Sequence, residues 1–144
     1  MTRIVLDTNL VVSAILSPQG KPARILKMAL DAKLDLVLSP AILEEIGLVL
    51  NYERIVKLFT RRSITPEKLK DALHKIVKTA IMVPGKKEVY HIDKDPSDNM
   101  FLSCALEGKA DFIISGDHHL TDLKEYKNIQ IVDPDTFLKL IGEF

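Results

Sequence analysis

Five short runs of β-favouring apolar residues, separated by longer segments of helical period, constrain this chain more than any other feature. They are RIVL at 3–6, LDLVLS at 34–39, TAIMV at 79–83, DFIIS at 111–115 and IQIVD at 129–133. Each is almost continuously apolar, as in a parallel strand covered on both faces; a strand with one face in water would alternate. Helical periodicity fills the intervals at 10–16, 22–32, 40–51, 53–61, 66–79, 97–108 and 134–142. This alternation predicts an α/β fold: a three-layer α/β/α sandwich around a mainly parallel five-stranded sheet, with right-handed crossovers. No internal repeat, low-complexity tract or Ser/Gly-rich linker interrupts it, so residues 1–144 read as a single domain.

Composition narrows the function classes. The chain has 144 residues, 47% hydrophobic and 28% charged, enough to bury a core of its own. Twenty basic residues offset twenty acidic ones, so no global field announces a nucleic-acid or membrane partner, although a neutral total can conceal a local patch. No apolar stretch approaches the roughly 20 residues of a membrane span. The single cysteine cannot close an internal disulfide, in keeping with a reducing compartment, and the expectation is a cytoplasmic protein.

The helix starts are sharply marked. Ser39-Pro40, Thr65-Pro66, Asp95-Pro96 and Asp133-Pro134 each place a capping residue before a proline at the first helical position. In a parallel sheet the helix after a strand begins at that strand's carboxyl edge, so acids in first turns can converge with acids at strand tips. Four positions meet this condition. Asp7 closes the first strand, Glu45 lies about one and a half turns into the helix begun at Ser39, Asp98 follows the Asp95 cap, and Asp117 ends FIISGD. Four unpaired carboxylates gathered there would repel and raise one another's pKa. A divalent cation relieves this: Mg²⁺, or Mn²⁺ in the same site, takes one or two direct carboxylates, waters and substrate phosphate. Such an ion polarises a phosphodiester and activates water near neutral pH.

VLDTN, the glutamate of SPAILEEIGLVL and the run DKDPSDNMFLSCALEGKADFIISGDHHL, in this order, resemble the PIN domain, a family of metal-dependent ribonucleases with a small α/β/α fold. The likeness spans nearly the whole chain and is greatest to single-domain prokaryotic toxins of toxin–antitoxin pairs, the VapC-like group. The most specific part is D-P-x-D, an apolar helix, then a strand ending in S-G-D. The resemblance implies that Asp7, Glu45, Asp98 and Asp117 hold Mg²⁺ or Mn²⁺, and that Thr8, Asn9 and Ser115 attend them. It further implies an RNA substrate, a small antitoxin occupying the cleft, and a homodimer. The apolar stretch ILEEIGLVLNYERI could serve either protein contact or form a buried helix.

Structural readings stand beside these. Asp98, at the third helical position, is favoured by the helix dipole without any metal, and Asp95 has a sufficient role as a cap. Asp7-Thr8-Asn9 could be only a turn and a helix cap. Glu44 and Glu45 compete for one role: Ile42, Ile46 and Val49 form an inward stripe that Glu45 borders, while Glu44 is turned about 100° away. His118-His119 beside Asp117 lack partners at zinc-ligand spacing, and Cys104 reads as core. Arg61-Arg62, Lys86 and Lys87 decorate solvated surfaces or touch phosphates. The function predicted is a Mg²⁺- or Mn²⁺-dependent endoribonuclease; the alternative is a non-catalytic nucleic-acid-binding or interaction module. A strand-tip Asp phosphoacceptor or dehalogenase-like hydrolase would leave Glu45 and Asp98 unexplained.

Overall fold

A computed structural model describes residues 1–87 and 99–143. In chain order the elements are β1 (Arg3–Leu6), α1 (Thr8–Leu16), α2 (Lys21–Leu30), β2 (Asp35–Leu38), α3 (Pro40–Leu50), α4 (Glu53–Arg61) and α5 (Pro66–Thr79). There follow β3 (Ile81–Met82), α6 (Asn99–Glu107), β4 (Phe112–Ile114), α7 (His118–Thr121), β5 (Glu125–Tyr126), β6 (Ile129–Val132) and α8 (Pro134–Leu140).

The sheet runs β3-β2-β1-β4-β6-β5. Strands β1 and β2, β1 and β4, β2 and β3, and β4 and β6 pair in parallel. Ile4, Val5 and Leu6 are all 0% exposed. Because successive strand side chains point to opposite faces, full burial of three in a row requires cover on both sides of the sheet. The three-layer α/β architecture is therefore present, with β1 at its centre.

Among the described residues the sheet has six strands, where the sequence predicts five. The added β5 pairs antiparallel with β6, Glu125 opposite Gln130 and Tyr126 opposite Ile129. Lys127 and Asn128 close this hairpin at φ 47° and 70°. A two-residue hairpin turn of this hand needs positive φ at both central residues, usually advertised by glycine. Lys-Asn carries no such advertisement, and a two-residue strand is too short to alternate. Helix α7 escapes sequence reading for the same reason, being a single turn capped by Asp117. In contrast, 79–83 yields only Ile81–Met82 as strand, because α5 runs on to Thr79.

The marked caps behave as their chemistry requires. Ser39 Oγ accepts from Ile42 N (3.4 Å), Thr65 Oγ1 from Lys68 N (3.2 Å) and Asp133 Oδ1 from Thr136 N (2.7 Å). Asp95 and Asp98 lie outside the described residues.

The topology fixes where a site can sit. From β1 the chain moves outward to β2 and β3, then returns to place β4 on the other side of β1. The gap between β1 and β4 at their carboxyl ends is the switch point, where open α/β sheets form a crevice uncovered by crossovers. Asp7 follows β1 and Ser115-Gly116-Asp117 follow β4, so both tips end at that crevice.

Candidate active site at the carboxyl edge

Asp7 is the centre of this edge. Its backbone N–H donates to Ile114 O (3.1 Å), continuing the β1–β4 ladder, and its side chain then caps α1 by accepting from Leu10 N through Oδ1 (2.8 Å). The cap role and the strand-tip role are thus one residue's work. The other oxygen, Oδ2, accepts from the Ser115 hydroxyl and from Gly116 N (3.2 Å). Ser115 Oγ in turn accepts from Asp117 N (2.9 Å), so one hydroxyl ties the first acid to the backbone of the second.

The electrostatics of Asp7 are unusual for a carboxylate. It is 5% exposed, and burial pushes its pKa above the ordinary value. Hydrogen bonds from Ser115, Leu10 and Gly116 oppose that shift, and the neighbouring Asp117 adds to it. Among the described residues no lysine or arginine forms an ion pair with it. A buried carboxylate facing a second acid, with no described cation to offset either, is a costly arrangement that a bound positive ion would relieve.

The next elements bring up the remaining acids. Helix α3 carries Glu45 to α1, where Thr8 Oγ1 donates to Glu45 Oε2 at 2.5 Å. Thr8 is buried and Glu45 half-buried, whereas Glu44 is exposed. Asp117 caps α7, its Oδ1 accepting from His119 N at 2.9 Å. The structure therefore links Asp7 to Asp117 through Ser115, and Glu45 to the residue beside Asp7 through Thr8. Asn9 is exposed and makes no hydrogen bond to Asp7. Among the described residues no three His, Cys, Asp or Glu side chains gather closely enough to hold an ion by themselves. The fourth acid of the expected set, Asp98, lies outside those residues.

Other conspicuous side chains fall elsewhere. Arg62 Nη1 donates to Leu16 O (3.2 Å) and Ser17 Oγ (3.3 Å) at the far end of α1 from Asp7, which places its guanidinium away from the acidic edge. The Cys104 thiol is fully buried, and that burial pushes its pKa up to about 12, leaving it an inert core group. His118 and His119 are exposed on α7. Sequence reading did not single out Glu107, whose carboxylate gathers three backbone amides at Gly85, Lys86 and Lys87. No local motif marks it, because its partners lie some twenty residues away.

Comparison with known proteins agrees with this geometry. The pattern of the PIN domain family matches residues 3–119. An uncharacterized protein of Methanocaldococcus jannaschii is 31% identical over 133 residues, covering 85% of this chain and 76% of its own length. The fold is similar to that in the crystal structure of VapBC2 from Rickettsia felis bound to a DNA fragment from their promoter. There the TM-score is 0.57 at 11% identity, covering 90% of this chain and 97% of that one. No described helix is long and apolar enough to cross a membrane.

Proposed function

Because the chain belongs to the PIN domain family, we propose that it is a Mg²⁺- or Mn²⁺-dependent endoribonuclease and the toxin component of a toxin–antitoxin pair. The observation that carries this reading is Asp7: a carboxylate almost wholly removed from water, beside a second acid, with no described cation to neutralise it. Fixed pairing in a purely structural role would put a lysine or arginine there.

The oxygen-only donors at this edge suit a hard divalent ion, which needs only one or two direct carboxylates when waters and substrate phosphate complete its shell. In this reading Asp7, Glu45, Asp98 and Asp117 would together hold the ion. Once bound, the ion supplies charge neutralisation and an activated water for attack on a phosphodiester. The chain's own work is orientation. Ser115 and Gly116 fix the Oδ2 oxygen of Asp7, Leu10 N fixes Oδ1, and Thr8 fixes one oxygen of Glu45. Donors aimed in this way hold the ligands before the ion arrives. RNA with an exposed backbone, in single strands or loops, is the substrate that can enter such a cleft, since only a bridging cation reconciles phosphate with carboxylate.

The structural likeness to a VapBC complex supports a protein partner at family level, and we assign an antitoxin to the cleft and a second copy of this chain to another face. Leu48 and Tyr52 remain 58% and 50% exposed within the stretch that the sequence offered for such contacts, and Val56, just beyond it, is 47% exposed.

The test is cleavage of RNA by purified protein in Mg²⁺ or Mn²⁺, its arrest by EDTA and its recovery on adding metal back. Asp7→Asn and Asp98→Asn should each abolish cleavage while the apo fold survives. If Asp7→Asn protein cuts RNA as fast as wild type across the same metal titration, the assignment fails and a non-catalytic binding module takes its place.

A further inference from the structure

Helix α6 ends on Glu107, and both oxygens of that carboxylate are engaged by one loop. Its Oε2 accepts from Gly85 N, and its Oε1 accepts from Lys86 N and Lys87 N, both at 3.0 Å. Three successive amides converging on one anion form a concave cradle that fixes the backbone they belong to. No ion pair of Glu107 with Lys86 or Lys87 is present, so the carboxylate serves the loop backbone and not the surface charge.

That loop is pressed against the start of α3. Gly85 adopts φ +71°, and a Cβ there would lie 2.8 Å from Ser39 Cβ. Val83 N donates to Leu38 O (2.8 Å), bringing the chain to this point alongside β2. Ser39, 0% exposed, is the cap of α3 and lies beside the Cys104 thiol one turn before Glu107. On the other side of α6, a Cβ on Gly108 would come within 2.4 Å of Val37 Cγ1, so the end of that helix sits directly on β2. Three elements thus meet at one junction, buried at Ser39 and Gly108 and half-buried at Gly85 and Glu107: the end of α6, the exit loop of β3 and the cap of α3. From Ser39 the helix rises about 9 Å to Glu45, whose contact with Thr8 is a single hydrogen bond that a small shift of α3 would break.

We propose that Glu107 is a positioning residue for the acidic edge: by gathering the amides of Gly85, Lys86 and Lys87 it locks the β3 exit loop against Ser39 and so sets where α3 presents Glu45. The role rests on the nuclease reading given above. It makes a specific demand on chemistry, since a carboxamide cannot replace the carboxylate. In Glu107→Gln either Gly85 N–H or the Lys86 and Lys87 N–H groups would face an NH₂ donor.

The experiment uses the full chain with Mn²⁺ as probe. In Glu107→Gln, hydrogen exchange at residues 85–87 should quicken, Mn²⁺ affinity by calorimetry should fall about tenfold, and kcat on single-stranded RNA should drop more than KM rises. Ile76→Val, a core truncation in α5 away from the junction, is the control for general loosening and should leave Mn²⁺ affinity at the wild-type value. If Glu107→Gln fails to fold, Glu107→Asp replaces it under the same criteria, its shorter arm being unable to reach all three amides. The role of Glu107 is overturned if exchange at 85–87 is unchanged, if it quickens while Mn²⁺ binds as in wild type, or if Ile76→Val weakens Mn²⁺ equally. Wild-type protein that neither binds Mn²⁺ nor cuts RNA removes the nuclease reading and this role together.

Discussion

Asp7 and Asp135 are the same side chain in opposite circumstances. Asp135, on the outer surface of α8, accepts from Lys21 of α2 and from Lys139 one turn along its own helix (2.9 Å), and these hydrogen bonds hold its carboxyl below the ordinary pKa. Asp7, at the switch point, is buried beside Asp117 and its pKa is raised. One carboxylate is arranged with its cations and remains in water, where pairing contributes little. The other is buried from water and pairs with no cation among the described residues. Among the described residues the fold pairs a surface acid with two lysines and leaves a core acid with none, which is the arrangement the proposed ion would relieve. The neutral total of the chain hides this, because a sum of charges counts the two carboxylates alike and they differ only in place.

The comparison breaks most visibly at Asp7. Replacing it by asparagine should lower RNA cleavage in saturating Mg²⁺ by more than about 100-fold, given that groups merely supporting a metal ligand are worth 10- to 100-fold. An initial-rate assay on labelled single-stranded RNA checks this. Next in size is the response to metal itself. At 100 times its dissociation constant, Mn²⁺ should stabilise wild-type protein by about 2.7 kcal/mol, seen as a raised Tm, and should not raise that of Asp7→Asn.

Ser115→Ala should cost about 1–3 kcal/mol in urea unfolding, because the hydroxyl is 0% exposed and its loss strips partners from both Asp7 Oδ2 and Asp117 N. A smaller effect separates the two acids by pH. A carboxyl whose folded pKa is raised holds more protons folded than unfolded, so its ionisation erodes apo stability as pH climbs through the raised value. Apo Asp7→Asn gives up an acceptor of Leu10 N or Gly116 N at every pH, so its Tm relative to wild type should be least favourable at low pH and should improve as pH climbs through the raised value. Asp135→Asn should behave oppositely in sign, since its lowered pKa lends stability above the ordinary carboxylate range that is lost as pH falls. Its effect should be the smallest of the set and should fade in high salt.

Local chemistry was legible where a feature is set by neighbours in the chain. The strands at 3–6, 111–115 and 129–133 are visible because burial on both faces demands unbroken apolar runs, and the caps at Ser39, Thr65 and Asp133 because a short oxygen side chain before proline has one obvious use. The preference for Glu45 over Glu44 followed from helical phase, and the half-buried Glu45 meets Thr8 while Glu44 lies exposed. The β5 hairpin and α7 were not legible: the first depends on backbone φ signs that Lys127 and Asn128 do not betray, the second on one turn of helix held by a cap.

The sequence by itself determined an α/β domain of the PIN family and the order in which its acids arrive, because periodicity and motif spacing are properties of the chain read in one dimension. Only the tertiary structure decided what those acids meet. The return of β4 beside β1 brings Ser115 from over a hundred residues away onto Asp7. The same folding sends Arg62 to the far end of α1 and sets Glu107 on the amides of a distant loop. Such contacts carry no signal in sequence, since a hydrogen bond between remote residues constrains neither neighbour's periodicity nor its propensity; it exists only once the sheet order has been chosen.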